Sequence, residues 1–171
     1  MEKQDSVKWL CHYKLSKYHE DIEPYSGREN EFHRLFTPYQ AIERKGNCLL
    51  NTGIDKIWDL VTGAVAGADH IYDNSHAQIG VGDSDSAAEA AQTDLQAETN
   101  KTYKSMEEGY PTSSSQKVTF KSSFGSSEAN YTWNEWVVKQ STSGVCLNRK
   151  VDSLGAKSSG TWTLEVEITL S

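Results

Sequence analysis

The sequence predicts a mainly β protein, an antiparallel β-sandwich of jelly-roll-like type with one amphipathic helix near residues 51–62 and an extended N-terminal arm. Three observations predict it. From Val118 to Leu170 the residues fall into short alternating runs separated by Ser/Gly/Asn turns. In the last run Trp162, Leu164, Val166, Ile168 and Leu170 point one way, and Thr161, Thr163, Glu165, Glu167 and Thr169 the other. A period of two sustained that long marks a strand with one buried and one wet face. Finally, a hydrophobic fraction of 36% with abundant Ser and Thr fits an all-β protein better than a helical enzyme core.

The 171 residues suffice for one domain that buries a core without staples. They divide into an N-terminal strand and arm, 1–46, and a sandwich, 47–171. A formal charge of −7 speaks against nucleic acid as a partner, since tracking phosphates needs clustered Lys and Arg. No apolar run has the length of a membrane span, and Met1-Glu2-Lys3-Gln4-Asp5 lacks the apolar core of a signal peptide, so a soluble protein made in the cytosol is expected. Cys11, Cys48 and Cys146 are odd in number and never in a C-x-x-C pair, which predicts reduced thiols used as small core hydrophobes.

Over residues 6–18, Val7, Trp9, Cys11, Tyr13 and Leu15 alternate with Lys8, His12, Lys14 and Ser16, predicting a strand that Leu10 interrupts. From His19 to Gly46 the chain is polar and irregular, punctuated by Pro24, Gly27 and Pro38, with Phe32, Leu35 and Phe36 as an apolar knot. So long a stretch holds a short strand or is an arm whose aromatics dock elsewhere. Asn47 opens the one good helix. Ile54, Ile57, Trp58 and Val61 make an apolar stripe expected to pack on the core, while Asp55, Lys56 and Asp59 face water. Asn51 or Thr52 caps its start and Gly63 ends it. Residues 64–77 read as loop, and 78–82 as a strand whose glycines admit close backbone approach. Residues 83–91 read as a loop entering a helical turn capped by Ser84 or Ser86, and 95–106 as a strand carrying Tyr103. A loop over 108–116 precedes runs at 117–124, 131–138, 145–151 and the closing strand, spaced as in sandwiches.

Tests for chemistry fail one by one. Gly80-Val81-Gly82 follows a strand, but the third glycine of a dinucleotide loop is missing and Asp83 and Asp85 would repel a pyrophosphate. Asp83-Ser84-Asp85 lacks the later glycine and glutamate of a calcium loop. Asp69, His70, Asp73 and His76 match no metal-ligand spacing, and His12, His19 and His33 stand alone. Serine is plentiful but never beside a histidine base, and Glu128 with Glu135 is too common an arrangement to identify a glycosidase. No catalytic, cofactor or metal residue is therefore expected. Trp133 and Trp136 have opposite parity, so one of them is expected either under a covering loop or helix, or exposed as a stacking surface for a glycan or protein.

The order of motifs carries a resemblance. It comprises Asn47-x-Leu49-Leu50-Asn51-x-Gly53-Ile54, Ile79-Gly80-Val81-Gly82-Asp83-Ser84, Gln92-Thr93-Asp94-Leu95-Gln96, Val118-Thr119-Phe120 to Phe124-Gly125, Ala129-Asn130 to Trp133-x-Glu135-Trp136 and Leu147-Asn148-Arg149-Lys150-Val151, with Lys157 and the closing strand. From about Asn47 to Ser171 this resembles small virion proteins of tailed bacteriophages, and the N-terminal module of some tail-collar and tail-fibre proteins. The resemblance implies a non-enzymatic structural role. The leading expectation is a capsid decoration (cement) protein, a homotrimer on the outer face of the major capsid protein, made in the host cytoplasm. The alternatives are a tail or fibre-base component, or a carbohydrate- or receptor-binding module using Trp133, Trp136 or Trp162. Within it, Trp9, Tyr13, Phe32, Phe36 and Tyr39 of the unmatched arm, with Trp136, are the expected partner-binding residues.

Overall fold

The computed structural model describes residues 8–171, the side chain of Ala68 excepted; Val7 lies outside them. Two five-stranded antiparallel sheets pack as a sandwich with no closed barrel. The first runs β2 (Gln40–Lys45), β1 (Trp9–Tyr18), β10 (Thr161–Leu170), β7 (Lys117–Phe124), β6 (Thr112–Ser114). The second runs β3 (Cys48–Leu49), β9 (Cys146–Ala156), β8 (Thr132–Gln140), β4 (Ala77–Gly82), β5 (Lys101–Ser105). Two short helices complete it, α1 (Glu29–Leu35) and α2 (Asn51–Thr62). Among the described residues no helix is long and apolar enough to cross a membrane.

The closing strand is the centre of its sheet. β10 pairs with β1 from Trp9 opposite Leu170 to Tyr18 opposite Thr161, and with β7 on its other side. Its alternation delivers Trp162, Leu164, Val166 and Ile168 to the main core, beside Cys11, Tyr13 and Leu15 of β1 and Phe120 and Phe124 of β7. Ile79, Val81, Trp133, Trp136, Val138 and Leu154 close that core from the second sheet. The outward side of β10 is wet only in part. Thr161 and Thr163 are buried, because residues 19–36 fold back over that end.

That return is the main departure from the expected extended arm. Tyr18, Ile22 and Phe32 form a small core of their own with Tyr25 and Phe36 against it, α1 supplies Phe32, and β2 then pairs with β1. Residues 9–45 are thus built into the first sheet and its cover. The second sheet is covered as well. The irregular segment 83–99, with one hydrogen-bonded turn in which the Gln92 amide donates to Glu89 O at 3.1 Å, lays Leu95 over Val137 and Cys146. The first part of β9, Cys146–Arg149, is consequently buried on both faces, with Cys146, Asn148 and Arg149 all at 0% exposure. The strand expected over 95–106 is limited to β5, and the 108–116 loop contains β6.

Glycines set two close approaches. A Cβ at Gly80 would lie 2.6 Å from the Tyr103 ring, and one at Gly82 would lie 2.5 Å from Glu135 Oε1. Both are the close contacts that a strand glycine permits. The cysteines are free; Cys11 and Cys146 are buried, and burial pushes the Cys11 thiol up to about 12.

Candidate interaction surface

Helix α2 is docked through Gly53. Gly53 sits so close to β9 that a Cβ there would come within 2.4 Å of the Leu147 carbonyl oxygen. Thr52 Oγ1 donates to Cys146 O at 3.3 Å instead of capping the helix, whose N-cap is Leu50 with no side-chain bond. Gly63 ends it in the left-handed region at φ 69°, as expected. At about 100° per residue, Gly53 and Lys56 define the buried side, and the apolar stripe is rotated away from it. Lys56 is buried, its ammonium 3.7 Å from Asp59 and 3.3 Å from His70 Nδ1. Ile54 is exposed at 37%, Trp58 at 61% and Val61 at 70%. Of the stripe expected in the core, Ile57 is half-buried against it, whereas Ile54, Trp58 and Val61 form a ridge facing solvent, flanked by the exposed Asp55 and by Asp59.

Beside the ridge runs an apolar groove of about 430 Å³. Ile57 and Leu60 of α2 form one wall, and Trp9, Val118, Ile168 and Leu170 from the end of the first sheet form the other. Leu147 and Tyr72 lie between, with the Tyr72 hydroxyl donating to Val145 O at 2.9 Å. Trp9 is held in place by Nε1 donating to Asn47 Oδ1 at 3.1 Å. Lys117 stands on the rim, 42% exposed and 2.8 Å from Glu167. A contiguous apolar ridge and groove is the surface type that marks a protein contact. Sequence periodicity found the stripe but not its direction.

The residues expected to bind partners divide sharply. Tyr13, Phe32 and Trp136 are buried, which corrects their assignment as contact residues: a side chain with no exposed surface presents nothing to a partner. Tyr13 packs on Trp136 with ring centroids 5.0 Å apart, and its hydroxyl donates to Asp152. Phe32 lies edge-on to Tyr18. Phe36 is half-buried, and Tyr39 is 51% exposed, stacked on His19. Trp9 belongs to the groove. The structure does not bring these six together. Trp133 and Trp136 both turn inward, Trp133 onto Phe124 and Trp162, and Trp136 onto Tyr13. They flank an irregularity at which β8 advances two residues, Trp133 to Glu135, while β9 advances four, Gly155 to Val151. With Trp162 also buried, none of the three offers a ring face to a sugar.

The polar clusters hold segments together. Arg149 Nε donates to Glu135 Oε2 at 2.7 Å with both side chains fully buried. The same carboxylate accepts the Gln96 and Ala97 amides, and Arg149 Nη1 donates to Ala87 O and Gln92 Oε1. This network clasps segment 83–99 onto the second sheet. Glu128 pairs instead with Lys104 at 2.6 Å, so it and Glu135 serve different partners. Asp73 Oδ1 binds His76 Nδ1 at 2.6 Å in a turn, whereas His70 turns to Lys56. Lys157 donates to Gly125 O at 2.6 Å and Asn130 Oδ1 at 3.0 Å; its burial lowers its pKa to about 8. Comparison with protein-family models, curated proteins and solved structures found no match.

Proposed function

We propose that this chain is a non-enzymatic structural protein of a tailed-bacteriophage virion, a capsid decoration protein that binds the outer face of the major capsid protein as a trimer. It would be made in the host cytoplasm and act on the capsid exterior. The observation that carries the reading is the apolar ridge of α2 beside its groove, a surface suited to contact rather than chemistry. The motif order that resembles virion proteins supports it too. Gly53 seats α2, Gly80 and Gly82 admit Tyr103 and Glu135, and Asn148 Oδ1 accepts the Val138 amide. Arg149 clasps segment 83–99, and Lys157 ties down the 125–130 turn. Each of these residues builds the scaffold, as in a protein whose work is to occupy surface. Such a protein stabilises a shell by adding interface area that exists only in the assembled state.

The test is to locate the chain on intact particles by electron microscopy. Regular density over the capsid faces is expected. Density confined to the tail would replace this reading with the tail or fibre-base one, and particles without the chain would end both.

A further inference from the structure

We propose that Lys157 and Asn130 form an intramolecular amide crosslink, Lys157 Nζ bonding to Asn130 Cγ with release of ammonia, at the open end of the β8–β9 hairpin. The pair is already in contact. Lys157 Nζ donates to Asn130 Oδ1 at 3.0 Å, while Asn130 Nδ2 donates to Ser126 O at 2.9 Å, so the carbonyl end of the amide faces the amine. An amine at that distance from a carboxamide oxygen lies within about 4 Å of its carbon, approaching the roughly 3–3.5 Å of reacting atoms. The backbone sets both ends. Thr132 is paired with Ala156, and the Lys157 amide donates to Tyr131 O at 3.0 Å. On the other side Ala129 is held in the left-handed region at φ 50°, its carbonyl accepting Trp133 Nε1 at 2.9 Å. An alanine stays there only where its surroundings impose it.

Burial supplies the driving force. Lys157 is 2% exposed, and its ammonium donates to two uncharged oxygens, Gly125 O at 2.6 Å and Asn130 Oδ1. The nearby carboxylates are engaged elsewhere, Glu128 with Lys104 and Asp21 with the Ser126 amide. A buried ammonium without a carboxylate against it is costly, and an amide is neutral, so the reaction removes that cost. Burial also lowers the Lys157 pKa to about 8, against the upward pull of Glu128 and Asp21. About half of it is therefore free amine at about pH 8. That amine attacks Cγ, the Nζ–Cγ bond forms as the Cγ–Nδ2 bond breaks, and one Nζ proton passes to the departing nitrogen. Ammonia then leaves on the exposed side of Asn130. Lys17 marks the contrast: it is buried too, but it meets Leu154 O and the Trp162 ring, neither of which can release ammonia. The link would close a loop of 27 residues and constrain the unfolded chain as a disulfide does, in a protein whose cysteines are free. It does not depend on the virion reading.

Intact-mass spectrometry of the full chain, denatured after prolonged incubation at about pH 8, tests the proposal. The wild type is expected to weigh about 17 Da less than its sequence, the mass of one ammonia. Trypsin should then leave residues 122–139 joined to residues 151–171, uncut at Lys157. Asn130→Ala changes an exposed side chain, keeps the fold and should show the full mass. Lys157→Met should show it too, and this variant separates the crosslink from a cyclic imide at Asn130, which loses the same mass without any lysine. A wild-type chain of full mass would overturn the proposal. So would a deficit that survives in either variant, or tryptic fragments that separate at Lys157.

Discussion

Glu107 shows how a single buried charge holds two parts of the chain together. It is 3% exposed, with His33 Nε2 at 2.8 Å and Ser123 Oγ donating at 2.5 Å to one carboxylate oxygen. Lys121 Nζ lies 3.1 Å from the other oxygen, and Asn74 Nδ2 donates to the Glu107 carbonyl. Burial pushes its pKa up, but the His33 and Ser123 hydrogen bonds and the Lys121 charge outweigh that and hold it below the usual 4.5. A carboxylate with a depressed folded pKa stabilises the fold above its unfolded pKa and loses that contribution as pH falls through the folded one. Glu107→Gln is accordingly expected to cost about 1.5–3 kcal/mol at neutral pH, the usual worth of charged hydrogen bonds. Urea unfolding followed from about pH 7 to about pH 3 should show the gap to wild type closing below about pH 4.5. A gap that ignores pH would contradict this role. The residue also shows where sequence reading stops. Its partners come from α1, the segment before β4 and β7, and no spacing in the chain relates them.

At the scale of elements, the regular runs were legible and the covers were not. The alternation over 117–124 and 161–170 has the bounds of β7 and β10, because those strands keep one face on the core for most of their length. Alternation says little about β9, whose second face lies under segment 83–99 and is lined by Cys146 and Arg149. In the buried ion pair there, removing either partner leaves the other as an uncompensated buried charge. Arg149→Met and Glu135→Leu should each destabilise the protein by about 3–5 kcal/mol. The double variant should recover part of that loss but remain below wild type, because the Gln96 and Ala97 amides lose their acceptor. A double-mutant cycle by chemical denaturation measures the coupling, and a value under about 0.5 kcal/mol would show that the two side chains act independently. The helix gives the complementary lesson. The range 51–62 and the Gly63 stop follow from local sequence, whereas the side that faces inward was decided by Gly53 against Leu147, a tertiary contact that outweighs the apolar stripe.

For the whole molecule, residues 8–46 belong to the sandwich that the arm was expected to leave. Its polar composition hides a seven-residue helix too short to show a period, and its aromatics are counted as surface until Tyr18 and Phe32 are seen to cover each other. The contact surface was misjudged for the same reason, since exposure is settled by packing and residue type only biases it. Deleting residues 1–46 removes β1 and β2 and strips Tyr13 and Leu15 from the core. The truncated chain is expected to lose cooperative thermal unfolding and to be digested rapidly by trypsin; a protease-resistant 47–171 fragment would show that the sandwich closes without them. The pairing of β1 with β10 has a further consequence, in time rather than space. During synthesis at about 5–20 residues per second, β1 emerges well before its β10 neighbour. Until then the nascent chain carries an apolar strand with no mate on that edge, and the first sheet forms only in a late, long-range closure. Closure of the first sheet thus waits on synthesis of β10, and a ribosome stalled before it would hold an aggregation-prone half-sandwich.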